Sequence, residues 1–233
     1  MGFIDNIKVD RDLQIQTACV AFFLLIFPLY FFTIAAGTDS PAGMGGVGKY
    51  TVSGDITYID FESGEETIAD GSPLLIDLNT DAIDDIADKN IVGVLVSMSY
   101  GEDETEDGTL IAPCVTGGLS ADTITGTASH LNFSNSADGD NNGGNGAHDV
   151  VTEWYNSSMI GQDVEGLSES EIAGQIDSNG AGLGDYTVEI AVAANSQNSP
   201  GCTRSDSGET VSYTIQLIVL DYTIIPFVDL ENI

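Results

Sequence analysis

Hydrophobic and polar residues alternate along much of the chain beyond residue 48, as in β-strands that bury one face. Apolar side chains recur at every second position in residues 50–58, 74–78, 92–100, 186–193 and 211–219. The threonine-rich run 122–133 also favours a strand. A last strand is expected over residues 222–230, at a sheet edge, because Pro226 cannot donate a hydrogen bond to a neighbouring strand.

Turns and short helices divide these strands. Residues 53–55 read as a bulge or a turn, 62–65 as a hairpin turn and 101–108 as an acidic turn. The segment 79–88 predicts a two-turn helix capped near Asn79. Residues 168–171 have the spacing of a capping box and predict a second short helix. The fold class is therefore mainly β, an antiparallel sandwich of immunoglobulin-like or jelly-roll style.

Residues 18–36 break the alternation with a continuous apolar run that carries no charge. A helix of about 20 such residues spans the hydrocarbon core of a bilayer, so the run predicts a transmembrane helix, which Pro28 would kink. The resulting organisation has four parts, namely a cytoplasmic head (1–17), the transmembrane helix (18–36), a Gly-rich linker (37–48) and an extracytoplasmic sandwich domain (49–233).

The orientation follows from Lys8 and Arg11, which precede the apolar run and favour a cytoplasmic N-terminus. A cleaved signal peptide is the alternative interpretation. The run exceeds the usual 7–15 apolar residues of such a peptide and lacks an Ala-x-Ala site after it. A retained single-pass anchor in the cell membrane is the better prediction.

Acidic residues dominate the composition: 37 Asp and Glu stand against five Lys and Arg, for a net charge of −32. Such a surface repels phosphate backbones, so nucleic-acid binding is excluded as a function class. Two interpretations of the acid remain open. One is a solvated surface that maintains solubility in salt, and the other is binding of divalent cations by some of the carboxylates.

Two cysteines, Cys114 and Cys202, belong to the acidic domain, whereas Cys19 lies in the apolar run. If the domain is extracytoplasmic, a disulfide between Cys114 and Cys202 is expected. Closing so long a loop would stabilise the fold by roughly 4–5 kcal/mol in the chain-entropy model. Two unrelated buried thiols are the alternative.

Residues 138–149 have the order of a calcium-binding loop. The candidate ligands are Asp138, Asp140, Asn142, Gly144 and Asp149. Calcium prefers six to eight oxygen ligands, and a glycine allows the chain to reverse sharply between them. Aspartate in place of the usual final glutamate, and the absence of flanking amphipathic helices, argue against an EF-hand proper. A disordered polar loop is the alternative.

Catalytic motifs are absent from the sequence, so no enzymatic activity is predicted. His130 and His148 lie in none of the Gly-x-Ser-x-Gly or His-Glu-x-x-His settings of hydrolases and zinc enzymes. Asn132 and Asn156 begin Asn-x-Ser sequons, which an exported protein can glycosylate. Trp154 is either an exposed contact for a sugar or protein or, more in keeping with its type, a core residue.

These features together predict a membrane-anchored surface protein whose β-sandwich acts as a binding, adhesion or structural module, with a protein or carbohydrate partner and calcium as a candidate cofactor. An accessory or sensory subunit of a larger membrane complex, recruited through the Phe-rich helix, is the alternative. An exported hydrolase is a third hypothesis.

Overall fold

The computed structural model describes Asp12, Ile15, Val20 and residues 22–26, 46–101, 105–108, 120–141, 144–196 and 202–227. Within these ranges no helix combines the length and the apolar character needed to cross a membrane. Most of the predicted transmembrane segment 18–36 lies outside the described residues. Its described part includes a single π-helical turn, Phe22–Ile26.

Two antiparallel sheets are stacked as a sandwich. In spatial order the five-stranded sheet contains β7 (Gly146–Glu153), β3 (Ile91–Tyr100), β11 (Gly208–Pro226), β1 (Gly48–Ala69) and β8 (Gln162–Leu167). The four-stranded sheet contains β2 (Leu74–Asn79), β9 (Asp185–Ala193), β5 (Thr123–His130) and β6 (Phe133–Asp140). A separate ribbon pairs β10 (Cys202–Ser205) with β4 (Thr105–Gly108). The predicted mainly-β antiparallel sandwich is confirmed.

The strand pairing has a simple order once β4, β8 and β10 are set aside. Of the eight remaining strands the first pairs with the last, the second with the seventh, the third with the sixth and the fourth with the fifth. These pairs are β1 with β11, β2 with β9, β3 with β7 and β5 with β6. The chain therefore behaves as one long hairpin, rolled up so that successive pairs alternate between the two sheets.

The strongest predicted strands are confirmed as β3, β9 and part of β11, but the turn predicted at residues 62–65 is wrong. The long strand β1 continues through it, since Glu62 and Glu65 pair with Ile215 and Ser212 of β11. A register shift between Asp60 and Glu62 leaves Phe61 as a bulge. Polar turn-like residues remain in a strand here because β11 offers a continuous ladder of backbone partners.

Two further strand predictions need correction. Residues 222–226 do not form a separate strand, because β11 runs without interruption to Pro226. The prediction of an acidic turn at 101–108 is wrong for residues 105–108, which form β4 against β10.

The capping-box helix is confirmed as α1 (Glu169–Ile176). The Ser168 N–H donates to Glu171 Oε2 at 2.8 Å, and the Glu171 N–H donates to Ser168 Oγ at 3.3 Å. Hydrogen bonds from the Ser168 backbone and hydroxyl lower the pKa of Glu171. The predicted two-turn helix at 79–88 is wrong. Two 3-10 turns, Thr80–Ala82 and Ile86–Asp88, stand there instead, separated by the left-handed Asp85 (φ 57°).

The five-stranded sheet is buried on both faces in its middle. Leu217 and Val219 face the four-stranded sheet in the main core, whereas Ile218 and Leu220 face outward. The outward pair joins a second core with Tyr50 and Val52 of β1 and with the buried α1 residues Ile172 and Ile176. A capped helix with two apolar residues four positions apart thus covers one end of the outer sheet face.

Candidate functional sites: a buried acidic cluster and an open strand edge

The segment predicted to bind calcium does not form a single loop. Asp138 and Asp140 lie on β6, Asp149 lies on β7, and Gly144 lies in the connection between them. Asn142 falls outside the described residues. The carboxylates of Asp138 and Asp140 accept hydrogen bonds from Thr125 and Thr123 at 2.7 and 2.9 Å.

These aspartates are divided between the outer faces of two sheets. Asp138 and Asp140 are exposed on the four-stranded sheet, and Asp149 is exposed on the five-stranded sheet. The sequence spacing was that of a loop, whereas the residues belong to two strands with alternating side-chain directions. Calcium binding by this set stays a prediction.

A different group of acids meets inside the molecule. Asp122, just before β5, and Glu209, in β11, are fully buried, and Asp206 lies half-buried before β11. One carboxylate oxygen of each lies within 4.8 Å of the others. Arg204, two residues before Asp206, is buried as well. We call Asp122, Asp206 and Glu209, with the neighbouring Asn141, the acidic cluster.

Asn141 organises the acidic cluster from the end of β6. Its amide nitrogen donates to Asp122 Oδ2 at 3.1 Å and to Glu209 Oε1 at 3.2 Å. Its amide oxygen accepts from the Asp122 backbone N–H at 2.9 Å. The Asn195 N–H donates to Asp122 Oδ1 at 2.6 Å. Buried carboxylates require such donors, because desolvation penalises a charge that lacks them.

The chain geometry at Asp206 also depends on a glycine. Gly208 donates its N–H to Asp206 Oδ1 at 3.0 Å and has a φ of 147°. A Cβ atom at this position would collide with the backbone of Ile68. Three carboxylates and one amide in close contact could hold a proton or a hard cation, and oxygen ligands of this kind are those that calcium prefers.

Sequence reasoning did not find the acidic cluster, because its members are scattered over 88 positions from Asp122 to Glu209. A signal was nevertheless present. Glu209 shares the parity of the inward-facing Val211 and Ile215, and Asp122 shares that of the buried Ile124. An acid at an inward strand position predicts a buried polar contact.

The predicted disulfide stays a prediction. Cys114 lies outside the described residues, and Cys202 is placed by its backbone, which pairs with Gly108 at the start of β10.

The two sequons differ in accessibility. Asn132 is exposed in the two-residue turn between β5 and β6, where Leu131 has a φ of 53°. Asn156 is half-buried, and its amide nitrogen donates to Gln175 Oε1 at 2.9 Å. Because a glycan attaches at this nitrogen, Asn132 is the better acceptor of the two.

His130 and Trp154 belong to an aromatic cluster in the core. The His130 ring stacks on Tyr186 with 4.0 Å between centroids, and the Trp154 ring lies 5.0 Å away. The two His130 nitrogens lie 2.8 and 2.6 Å from the carbonyl oxygens of Asp185 and Ala181. Trp154 donates its indole N–H to Ile91 O at 3.0 Å. These contacts agree with a core role for Trp154.

His148 lies nearer the surface, beside Tyr100. The Tyr100 hydroxyl lies 3.0 Å from His148 Nδ1, and His148 Nε2 lies 3.2 Å from Ala137 O. Burial, with the nearby negative charge of Asp140, raises the pKa of Tyr100.

The second candidate site is the edge of β1. Strand β8 pairs only with residues 48–52 of β1, and beyond Val52 no other described strand pairs with this edge. Ile56 and Tyr58 are 37% and 54% exposed there. At the Phe61 bulge an open depression of about 370 Å³ is lined by Asp60, Phe61, Glu62, Ser63 and Thr214.

Comparisons with known proteins show no family for this chain. No protein-family model matches the chain, and no curated protein matches it. The solved structures that resemble it include one of Desmodium yellow mottle tymovirus (10% identity, 82% of this chain and 88% of that one, TM-score 0.20). Another is a cryo-EM structure of mud crab tombus-like virus (9% identity, 87% of this chain and 99% of that one, TM-score 0.22).

Proposed function

We propose that this protein is a single-pass membrane protein whose acidic jelly-roll domain stands outside the cell as a binding, adhesion or surface-structural module. The observation that carries the proposal is the order of parts. An uncharged apolar run and a Gly-rich linker precede an acidic sandwich, in a chain whose net charge is −32. Binding rather than catalysis is favoured because the histidines have structural contacts and the sequence lacks catalytic motifs.

The strand pairing supports a jelly roll over an immunoglobulin-like sandwich. A jelly roll arranges eight strands in two sheets, and here β1 pairs with β11 while β5 pairs with β6. In an immunoglobulin-like domain the first strand does not pair with the last across such a roll. The jelly-roll architecture includes lectin domains, but fold alone does not assign a ligand.

The start of β1 and the residue after β11 lie together, which supports attachment of the sandwich domain to the membrane at that end. Lys49, near the start of β1, accepts a backbone hydrogen bond from Phe227 after β11 at 2.9 Å. Its ammonium lies 3.8 Å from the Phe227 ring centroid and 3.2 Å from Asp163 of β8. β1 then runs for 22 residues away from the linker, a contour of roughly 70 Å.

The described part of the apolar run supports a lipid contact. Phe22, Phe23 and Leu24 are 47, 62 and 69% exposed. Apolar side chains with so much exposed area are stable in hydrocarbon and costly in water.

The test is a topology measurement on intact cells that produce the full chain with an epitope tag after Ile233. The tagged protein should stay in the membrane fraction during alkaline extraction. Protease added outside the intact cells should remove the tag. A Leu24→Asp, Leu25→Asp double variant should lose membrane retention, because each charge at mid-helix disfavours insertion by about 2.5–3.5 kcal/mol. A Thr38→Asp variant in the linker is the matched control. Extraction of the unmodified chain as a free protein would overturn the proposal.

An accessory subunit of a membrane complex is the second candidate. The exposed Phe22 and Phe23 rings, packed edge to face at 5.4 Å, offer a surface for neighbouring helices. Purification of the tagged chain in a mild detergent tests this alternative. Stoichiometric integral membrane partners that the Phe22→Leu, Phe23→Leu variant loses would favour the accessory subunit over the independent module.

A further inference from the structure

We propose that the open edge of β1, residues 54–60, binds an extended, positively charged segment of another protein as an added β-strand. The inference deepens the proposed function, on which it rests, because it names the class of partner for the binding module.

The backbone directions along β1 define the edge. Lys49 O accepts from Phe227, so Lys49 faces β11, whereas Val52 O accepts from Gly161 on the opposite, β8 side. Strand groups alternate in direction along an antiparallel ladder. The N–H and C=O groups of Ile56 and Tyr58, four and six residues after Val52, therefore point to the open edge. Backbone groups of this kind are a template for strand addition.

The structure also shows where an added strand would begin. The segment before β8 turns away at Gly161 (φ 75°), and Ile160 lies close over Gly54. An incoming strand would therefore start beside Asp55 and continue the line of β8 along β1. It would extend to the Phe61 bulge, where the depression of about 370 Å³ can receive one side chain.

Two residues that commonly prevent edge pairing are missing from this part of the sequence, because neither lysine nor proline occurs in residues 54–69. The Phe61 bulge ends the straight part of the edge, so an added strand can pair with the residues before it. The side chains that flank the edge include the exposed Ile56 and Tyr58, which supply apolar contact on the outer face. The edge therefore combines backbone partners, apolar surface and a depression.

The acidic residues of this part of β1 favour a positively charged partner. Within the edge, residues 54–60, the acidic residues are Asp55 and Asp60. Glu62, Glu65 and Glu66 follow just beyond the bulge, and no basic residue occurs in residues 54–69. A second copy of this chain, paired edge to edge, would bring together two strand segments of the same negative charge, and like charges on paired strands are destabilising. An extended segment with lysine or arginine at alternate positions meets the acids with opposite charge, which also increases its association rate.

The test uses the full chain in non-ionic detergent and a fluorescent ten-residue peptide of alternating lysine and valine. Fluorescence anisotropy should show saturable binding. A peptide of the same sequence, N-methylated on alternate residues along one edge, should bind at least tenfold more weakly, since it keeps the charge and loses the ladder hydrogen bonds. Equal binding of the two peptides would overturn the proposal, because the attraction would then be charge alone.

A variant of the protein, in place of a modified peptide, also tests whether binding depends on backbone hydrogen bonds at the open edge. Tyr58→Pro should weaken peptide binding at least tenfold, because the Tyr58 N–H faces the open edge and its loss leaves the β11 ladder intact. Tyr58→Thr is the matched control and should retain binding. If Tyr58→Pro does not fold, as judged by circular dichroism, the peptide comparison on the unmodified chain still decides.

The same detergent samples also show whether a second copy of the chain, and no peptide-like partner, binds the open edge. A detergent-solubilised dimer that Tyr58→Pro converts to a monomer would assign the edge to a second copy and overturn the proposal. Peptide binding to purified protein does not depend on where the chain sits in a cell. Its failure is therefore distinguishable from a failure of the topology measurement that tests the proposed function.

Discussion

The two parts of β1 differ sharply although they belong to one continuous strand. In residues 48–52 the strand has β8 on one side and β11 on the other, and Tyr50 and Val52 are buried beneath α1. In residues 54–60 it keeps β11 but has no other described partner strand, and Tyr58 on the same outer face is 54% exposed. We refer to these parts as the closed and the open part of β1.

The difference shows that strand formation and strand burial have separate causes. The ladder to β11 holds the backbone of both parts, so secondary structure continues through the open part. Burial depends on what covers the sheet, namely α1 and β8 at one end. Apolar alternation in the sequence therefore predicts strand formation better than it predicts burial.

The largest effect is expected from removing the cover of the closed part. Ile172→Ala, at a fully buried position of α1, should lower the free energy of unfolding by about 2–5 kcal/mol through lost burial and a cavity. Tyr58→Ala, in the open part, should cost less than about 1 kcal/mol. Denaturant unfolding followed by circular dichroism measures both. Similar losses for the two variants would mean that the open part is covered.

The next effect concerns the far end of β1, where Ile68 pairs with Glu209 of the acidic cluster. Asn141→Leu should lower the free energy of unfolding by about 1–3 kcal/mol, because Asp122 and Glu209 lose a buried donor. Asn132→Ala, at the exposed turn, is the control and should be near neutral. An Asn141→Leu protein as stable as the unmodified one would show that the amide does not hold the acidic cluster together.

Alkaline pH should loosen the end of β11 next to the closed part. Burial raises the pKa of Tyr222 to about 12, with help from the hydrogen bond to Asp177. A folded-state pKa above the unfolded value stabilises the fold fully below about pH 10, and this contribution is lost as the pH rises toward 12.

Tyr222→Phe should remove that part of the pH dependence and cost about 1 kcal/mol at neutral pH, the value of one hydrogen bond to a charged group discounted for partial exposure. Urea unfolding between pH 8 and 12 measures it. If the stability of the two proteins fell identically at alkaline pH, the role given to Tyr222 would be contradicted.

The smallest effect is expected at acidic pH, again in the closed part. Hydrogen bonds from Thr51 and Lys49 lower the pKa of Asp163 below its usual 3.8. A lowered folded-state pKa stabilises the protein above the unfolded value, and this contribution is lost as the pH falls through the folded value. Asp163→Asn should flatten the stability profile below pH 4, as measured by denaturant unfolding at acidic pH. A profile that this variant leaves unchanged would contradict the stabilising role of Asp163.

Local patterns in the sequence predicted the elements that depend on local causes. The strict alternation of β3 and β9 and the capping box of α1 specify strand or helix within a few residues. The turn wrongly predicted at residues 62–65 shows the limit, because a partner about 150 positions away keeps those residues extended. The pairing order of the roll rests on such long-range contacts.

The candidate sites were harder to predict than the fold. The calcium-like spacing of Asp138, Asp140 and Asp149 describes a loop, whereas those residues alternate along two strands. The acidic cluster joins three distant segments, and only the inward parity of Asp122 and Glu209 indicated it. The open edge could not be seen in the sequence, since an unpaired edge is defined by what does not pair with it.

Residue-resolved amide hydrogen exchange of the full chain in detergent micelles tests the open edge of β1 most directly. The amides of Ile56 and Tyr58 face the open edge and should exchange rapidly, whereas those of Asp55 and Thr57 face β11 and should be protected. Saturation with the lysine–valine peptide should then slow Ile56 and Tyr58 selectively. Ile56 and Tyr58 amides as protected as their neighbours in the free protein would contradict the account.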